Sequence, residues 1–181
     1  MLKVDSNISF EQAVAGAAAP KHIVDSLCLI DVHYWSFDDC LHQGQLLIHE
    51  DTAQDVLAIF ALIEKTRFPI GKVIPIVKYS WSDEVSMADN NTSAFNYRTI
   101  KGTNKPSHHG TGRALDINPF QNPVIYSDGR ILPTGAVYDL RHKGTLFVDS
   151  PVVREFMARG WRWGGCFESL RDYHHFERPQ T

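Results

Sequence analysis

Apolar positions fall into two periods along this chain, and the change of period marks its first elements. Leu27 to Trp35 is dense in Leu, Ile, Val and aromatic residues and reads as a buried strand. Leu46-Leu47-Ile48, after Gly44, reads as its partner, which predicts a hairpin across residues 36–43. From Thr52 the period becomes helical. Val56, Ile59, Phe60 and Ile63 share one face, Thr52-x-x-Asp55 has the form of a capping box, and Phe68-Pro69 provides the stop. Val73 to Tyr79 is again β-rich, with Pro75 assigning it to an edge or a bulge, and the polar stretch from Ser82 to Thr92 predicts a long loop. Residues 121–145 hold turn formers without a period, as an insertion over a site or a surface excursion would. Ser150-Pro151 supplies an N-cap and a first-turn proline for a second helix that Gly160 ends, packing through Val152, Val153, Phe156 and Met157. Residues 1–22, small and polar around Ala17-Ala18-Ala19-Pro20, read as a lead-in to one domain spanning 23–181.

Composition narrows the class. A chain of 181 residues, 43% hydrophobic and 22% charged, can bury a sizeable single core. The 18 basic and 21 acidic residues give a formal charge of −3, which supplies no basic field for nucleic acid or an anionic membrane. No apolar run approaches the ~20 residues of a membrane span, and Met1-Leu2-Lys3-Val4-Asp5 is not followed by the apolar core of a signal peptide. Cys28, Cys40 and Cys166 are odd in number, lack metal spacing and are expected to be core thiols. His22, His33, His42, His49 and His142 likewise have no ligand-like spacing.

The chemistry concentrates in Ser107-His108-His109-Gly110-Thr111-Gly112-Arg113-Ala114-Leu115-Asp116-Ile117-Asn118. His109 and Asp116 are seven residues apart, and an unbroken strand would send them to opposite faces. Gly110 and Gly112 let the chain turn after His109 and re-enter a strand at Ala114 with Asp116 facing back. A second histidine- and carboxylate-rich stretch follows at Asp172-Tyr173-His174-His175-Phe176-Glu177. Two histidines and an aspartate, with another aspartate nearby, make a metal site. Three protein ligands leave a tetrahedral zinc one position for water, the arrangement of a catalytic site.

Ser107-x-His109-x-x-Gly112-x-Ala114-x-Asp116, followed by Asp172-x-x-His175-Phe176-Glu177, resembles the zinc D-alanyl-D-alanine carboxypeptidase family. That family includes vancomycin-resistance D,D-peptidases and endolysin L-alanyl-D-glutamate peptidases. Asn96-Tyr97-Arg98 and Trp161-x-Trp163-Gly164-Gly165 also fit, so the resemblance spans about residues 85–178. It implies an α+β hedgehog/D,D-peptidase fold, with helices packed on a small antiparallel sheet that carries one zinc ion per chain. It further implies a metallopeptidase that cuts an amide bond in peptidoglycan stem peptides, as a carboxypeptidase or an endopeptidase.

The pattern selects His109, Asp116 and His175 as metal ligands, and on a strand the neighbours His108 and His174 would point the other way. Asp172 becomes the general base, able to take a proton from the attacking water and pass it to the leaving amine. Arg98 becomes an oxyanion or carboxylate partner. Ser107, His174 and Trp163 are candidate substrate contacts. Ser107 also reads as hydrogen-bonding support, Trp163 as packing, and His174 stands where relatives commonly carry proline.

Two other readings remain open at this stage. The same fold can serve as a non-catalytic zinc-binding recognition module, or as a zinc hydrolase of peptides outside the cell wall. The expected partner is peptidoglycan or a muropeptide, with no nucleic acid, and the protein is expected to be a monomer. A wall substrate implies a periplasmic or secreted location, or cytoplasmic accumulation before lysis for a phage protein.

Overall fold

The computed structural model describes residues 2–100 and 102–179. In chain order they form β1 (Lys3–Val4), α1 (Phe10–Ala13), α2 (Lys21–Val24), β2 (Leu27–Trp35), β3 (Leu41–His49), α3 (Ala53–Thr66), β4 (Lys72–Val73), α4 (Asp83–Ala88) and β5 (Asn91–Thr92). Next come β6 (Ala114–Asp116), β7 (Val124–Tyr126), β8 (Ile131–Leu132), α5 (Pro151–Ala158), β9 (Arg162–Trp163), β10 (Leu170–Asp172) and β11 (His175–Glu177). The architecture is α+β. Its sheets are small: β1-β3-β2, β10-β7-β8, β6-β11-β9 and the pair β4-β5. Among the described residues, no helix is long and apolar enough to cross a membrane.

The β2–β3 hairpin is the longest ladder, in antiparallel register from Leu27↔His49 to Trp35↔Leu41. One face of α3 lies on it through Val56, Ile59, Phe60 and Ile63, all buried at helical spacing. The second helix, α5, joins the same core through Val152, Val153 and Phe156. Its Phe156 ring stacks on Phe176 of β11 at 3.8 Å between centroids, so the main core reaches the strand that carries His175.

Several local expectations change. Strand β3 runs on through Gly44, because the hairpin turn is shorter than predicted and closes with Ser36 N–H donating to Cys40 O. Gly44 is the residue that fits there, since a Cβ would sit 2.3 Å from the carbonyl oxygen of Val73. Thr52 does not form a capping box. Its hydroxyl donates to His49 O at 2.7 Å, a short 3-10 turn precedes α3, and Asp55 instead accepts from Trp161 Nε1 at 3.1 Å. Within residues 73–79 only Val73 belongs to a strand, as the end of β4, because Pro75 leads into a 3-10 turn over Ile76–Tyr79. The predicted loop at 82–92 contains α4, capped by Ser82 Oγ accepting from Val85 N–H, and then β5.

Residues 121–145 are more than an excursion, because β7 and β8 pair with β10 into a sheet. The 1–22 segment is packed into the domain. β1 pairs with β3, and α1 buries Ala13 in a second cluster with Ile23, Leu27, Leu47 and Phe95. Met157 lies on the outer face of α5 and is exposed, and Cys166 is exposed rather than a core thiol.

Gly112 occupies a joint where both backbone angle and space call for glycine. It has φ +71°, and a Cβ there would lie 2.6 Å from His49 N. Gly129 shares the positive φ, at +84°, but nothing lies within 4 Å of its Cβ position. Left-handed backbone costs a non-glycine residue about 1–2 kcal/mol, and overpacking adds about 1–3 kcal/mol. Denaturant unfolding should therefore find Gly112→Ala less stable than Gly129→Ala by at least about 1 kcal/mol.

Candidate metal centre

Asp116 and His175 face each other across a strand pair. β11 runs antiparallel to β6 with His175↔Asp116, Phe176↔Leu115 and Glu177↔Ala114 in register. Side chains alternate across a strand, so Leu115 and Phe176 enter the core while Asp116, His175 and Glu177 share the opposite face. His109 arrives from outside this ladder, on a 3-10 turn over His109–Thr111 that Gly112 ends in left-handed conformation. Ser107 secures that turn, its Oγ accepting from Gly110 N–H at 3.0 Å and its N–H donating to Arg98 O at 2.9 Å. Gly110 lets the two segments touch, since a Cβ there would meet Arg98 O at 2.6 Å.

The three side chains converge. His109 Nε2 lies 3.1 Å from Asp116 Oδ1 and 3.2 Å from His175 Nδ1, and His175 Nδ1 lies 2.9 Å from the same Asp116 oxygen. The outer partners fix which ring atoms turn inward. His109 Nδ1 faces the carbonyl of Ala94 at 2.6 Å, and a carbonyl only accepts, so Nδ1 carries the proton and Nε2 presents its lone pair. His175 Nε2 faces Glu177 Oε2 at 3.2 Å, which leaves Nδ1 for the centre. Two imidazole nitrogens and a carboxylate oxygen suit a borderline divalent ion such as zinc, and three ligands leave a position open. Among the described residues, His109, Asp116 and His175 form the group that could hold a metal.

The electrostatics express the same demand for positive charge. Burial alone would raise the Asp116 carboxyl, but His109, His174 and the hydrogen bonds from His109 and His175 hold it well below its ordinary value. Burial would lower His175, yet the bonds to Asp116 and Glu177 push it up to about 10. Burial would raise Glu177, but His175 and His108 pull it down to about 2.

Asp172 ends β10 beside this group. Its Oδ1 is buried without an aligned hydrogen bond, although His174 Nε2 stands 2.9 Å away. His174 differs from its predicted place. It lies in the turn between β10 and β11, so strand alternation does not apply to it. The ring is 4% exposed, its Nδ1–H donates to Asn122 O at 2.8 Å, and Nε2 sits between Asp172 and Asp116 Oδ2, the latter at 3.8 Å. Burial would lower its pKa, but the carboxylates of Asp172 and Asp116 outweigh that and raise it to about 9. His108 also turns toward the group, with Nε2 3.5 Å from Glu177 Oε2.

A cavity of about 440 Å³ opens over the cluster, walled by Ser107, Asp172, His174 and Arg98 among others. Arg98 is exposed and paired with Asp83, which also accepts from Asn96 Nδ2 at 2.6 Å. Trp163 does not line this cavity. It is buried, with its indole N–H donating to Tyr173 O at 2.9 Å. The sequence reading missed the orienting roles of Glu177 and Ala94. Glu177 was visible at the i+2 position of a strand, on the same face as His175, whereas a backbone carbonyl leaves no mark in a sequence.

The family model described as D-alanyl-D-alanine carboxypeptidase matches residues 101–178. The matched segment carries His109, Asp116, Asp172 and His175. Asn96-Tyr97-Arg98 lies outside the matched span. No curated protein and no solved structure matches the chain.

The metal-free protein should show a distinctive pH dependence. His174 and His175 have folded values raised above the ~6.5 of an unfolded histidine, so their stabilisation is complete below about pH 6.5 and is lost as pH rises through about 9 to 10. Glu177 is depressed, so its stabilisation is present above about pH 4.5 and is lost as pH falls toward 2. Thermal unfolding of chelator-treated protein should thus peak between about pH 5 and 6.5. A melting temperature that climbs from pH 7 to 9 would contradict these charge assignments.

Proposed function

We propose that the protein is a zinc metallopeptidase of the hedgehog/D,D-peptidase type that hydrolyses an amide bond in peptidoglycan stem peptides. The observation that carries this reading is the meeting of His109, Asp116 and His175 on the floor of a cleft, beside a carboxylate without an aligned hydrogen bond. The family match supports the peptidase class and cell-wall peptides as its targets.

His109 Nε2, Asp116 Oδ1 and His175 Nδ1 would hold the metal. When bound there, it supplies Lewis-acid polarisation of the amide carbonyl and acidifies a water molecule. Asp172 does the proton work. Its Oδ1 stays against His174, and Oδ2 takes a proton from the attacking water and returns it to the leaving amine. His174, anchored by the Asn122 carbonyl, keeps Asp172 from rotating away. Ser107 shapes the turn that presents His109, and Arg98 stands at the cleft rim, already paired with Asp83.

A non-catalytic zinc module would gain nothing from Asp172, which argues for the enzyme. The wall substrate makes a periplasmic or secreted location the natural one, with release at lysis as the route for a phage protein, and the chain acts as a monomer.

Two measurements test the reading. Metal analysis should find about one zinc per chain in the wild type and none retained by the His109→Ala, His175→Ala double variant. Unchanged zinc content there would place the metal elsewhere. Asp172→Ala should keep its zinc and fold yet cleave stem peptides at least about a hundredfold more slowly, the usual scale for a lost general base. Full activity in that variant would remove Asp172 from the chemistry.

A further inference from the structure

Next to the metal cleft lies a second cavity of about 690 Å³, which shares Ile100, Ser107 and His108 with the first and is otherwise marked by His22, His49 and Lys105. The two differ in charge. The wall of the metal cleft carries four carboxylates, from Asp83, Asp116, Asp172 and Glu177, and its one arginine, Arg98, is paired with Asp83. No carboxylate lines the second cavity, and Lys105 makes no ion pair among the described residues. Behind His49 stands Arg113, whose Nη2 is 3.1 Å from His49 Nε2 but is already paired with Asp51 at 2.6 Å, so the unpaired charge of this cavity is that of Lys105.

This division places the free positive charge away from the metal. A carboxypeptidase must grip a terminal carboxylate one residue from the bond it cuts. Here the cation of the cleft itself is already neutralised, and the free lysine lies over the lip formed by Ser107 and His108. An extended chain advances ~3.3 Å per residue, so a peptide held over the metal can reach across that lip within a few residues.

Building on the peptidase reading, we infer that the second cavity is a substrate subsite for a carboxylate beyond the cleaved amide. The protein is then an endopeptidase for acidic peptides that span both cavities. Lys105 supplies the charge, and His22 and His49 supply polar walls. The recognition is electrostatic, and salt weakens it.

The test uses metal-loaded Asp172→Ala protein and calorimetry, with two probes: a stem peptide bearing a free carboxylate beyond the scissile bond, and the same peptide with that group amidated. The free acid should bind more tightly. Lys105→Glu should weaken it about tenfold while changing the amide less than about twofold, and Lys105→Arg should retain the preference. Equal losses for both probes, no loss, or no preference in the parent protein would overturn the subsite. Hydrolysis of the same peptides by the wild type is scored separately. A carboxylate preference without cleavage sinks the peptidase reading and leaves the subsite standing, whereas cleavage without the preference sinks the subsite alone.

Discussion

Three electron-pair donors face one another across about 3 Å in this protein, and that crowding is the constraint on which the rest of the site depends. His109 Nε2, His175 Nδ1 and Asp116 Oδ1 all point at one spot. Lone pairs so arranged repel unless a cation lies between them. A proton can serve, which is why His175 is held up to about 10 in the metal-free chain, and a divalent ion can serve in its place. Either way the arrangement persists only because the surrounding fold fixes it.

The fixing comes from ordinary packing. Leu115 and Phe176 are fully buried on the core side of the two ligand-bearing strands, and the stack of Phe176 on Phe156 ties β11 to α5 and through it to α3. Because alternation along a strand is strict, burying Phe176 forces His175 and Glu177 to the cleft side. A one-residue slip would exchange a core aromatic for the ligands, so the hydrophobic effect sets the register of the chemistry. His109 lacks such a ladder. The 93–98 segment does the same work for it, with Ser93 bonded to Asp116 in both directions, Ala94 O on the ring and Asn96 N–H on His109 O.

Charge is divided as carefully as the packing. Every acidic group near the metal position has a basic partner, and Glu177 is shared among His175, His108 and Arg162. Asp172 is the exception in quality: its Oδ1 is near His174 without a well-directed bond. A carboxylate left imperfectly satisfied in a buried site is costly, and such costs concentrate where a group must change partners during a reaction.

By itself the sequence determined those features that depend on neighbours in the chain. The helical period of Val56, Ile59, Phe60 and Ile63, the Ser150-Pro151 start of α5 and the glycine-permitted turn between His109 and Asp116 are all local, and local residue choice sets them. The family resemblance was legible for the same reason, as short spacings around His109 and His175. Tertiary structure decided what needs a distant partner. Thr52-x-x-Asp55 looked like a cap, but Trp161 offered Asp55 a better bond, and the turn over Glu50–Thr52 drew the Thr52 hydroxyl to His49. Residues 121–145 had no period because β7 and β8 are short and are completed by β10, some forty residues on. His174 seemed to point away until the turn it occupies and the carbonyl of Asn122 drew it between two aspartates. Periodicity records only which face a residue buries, whereas the partner that satisfies a buried charge is chosen by whatever the folded chain brings within 3 Å.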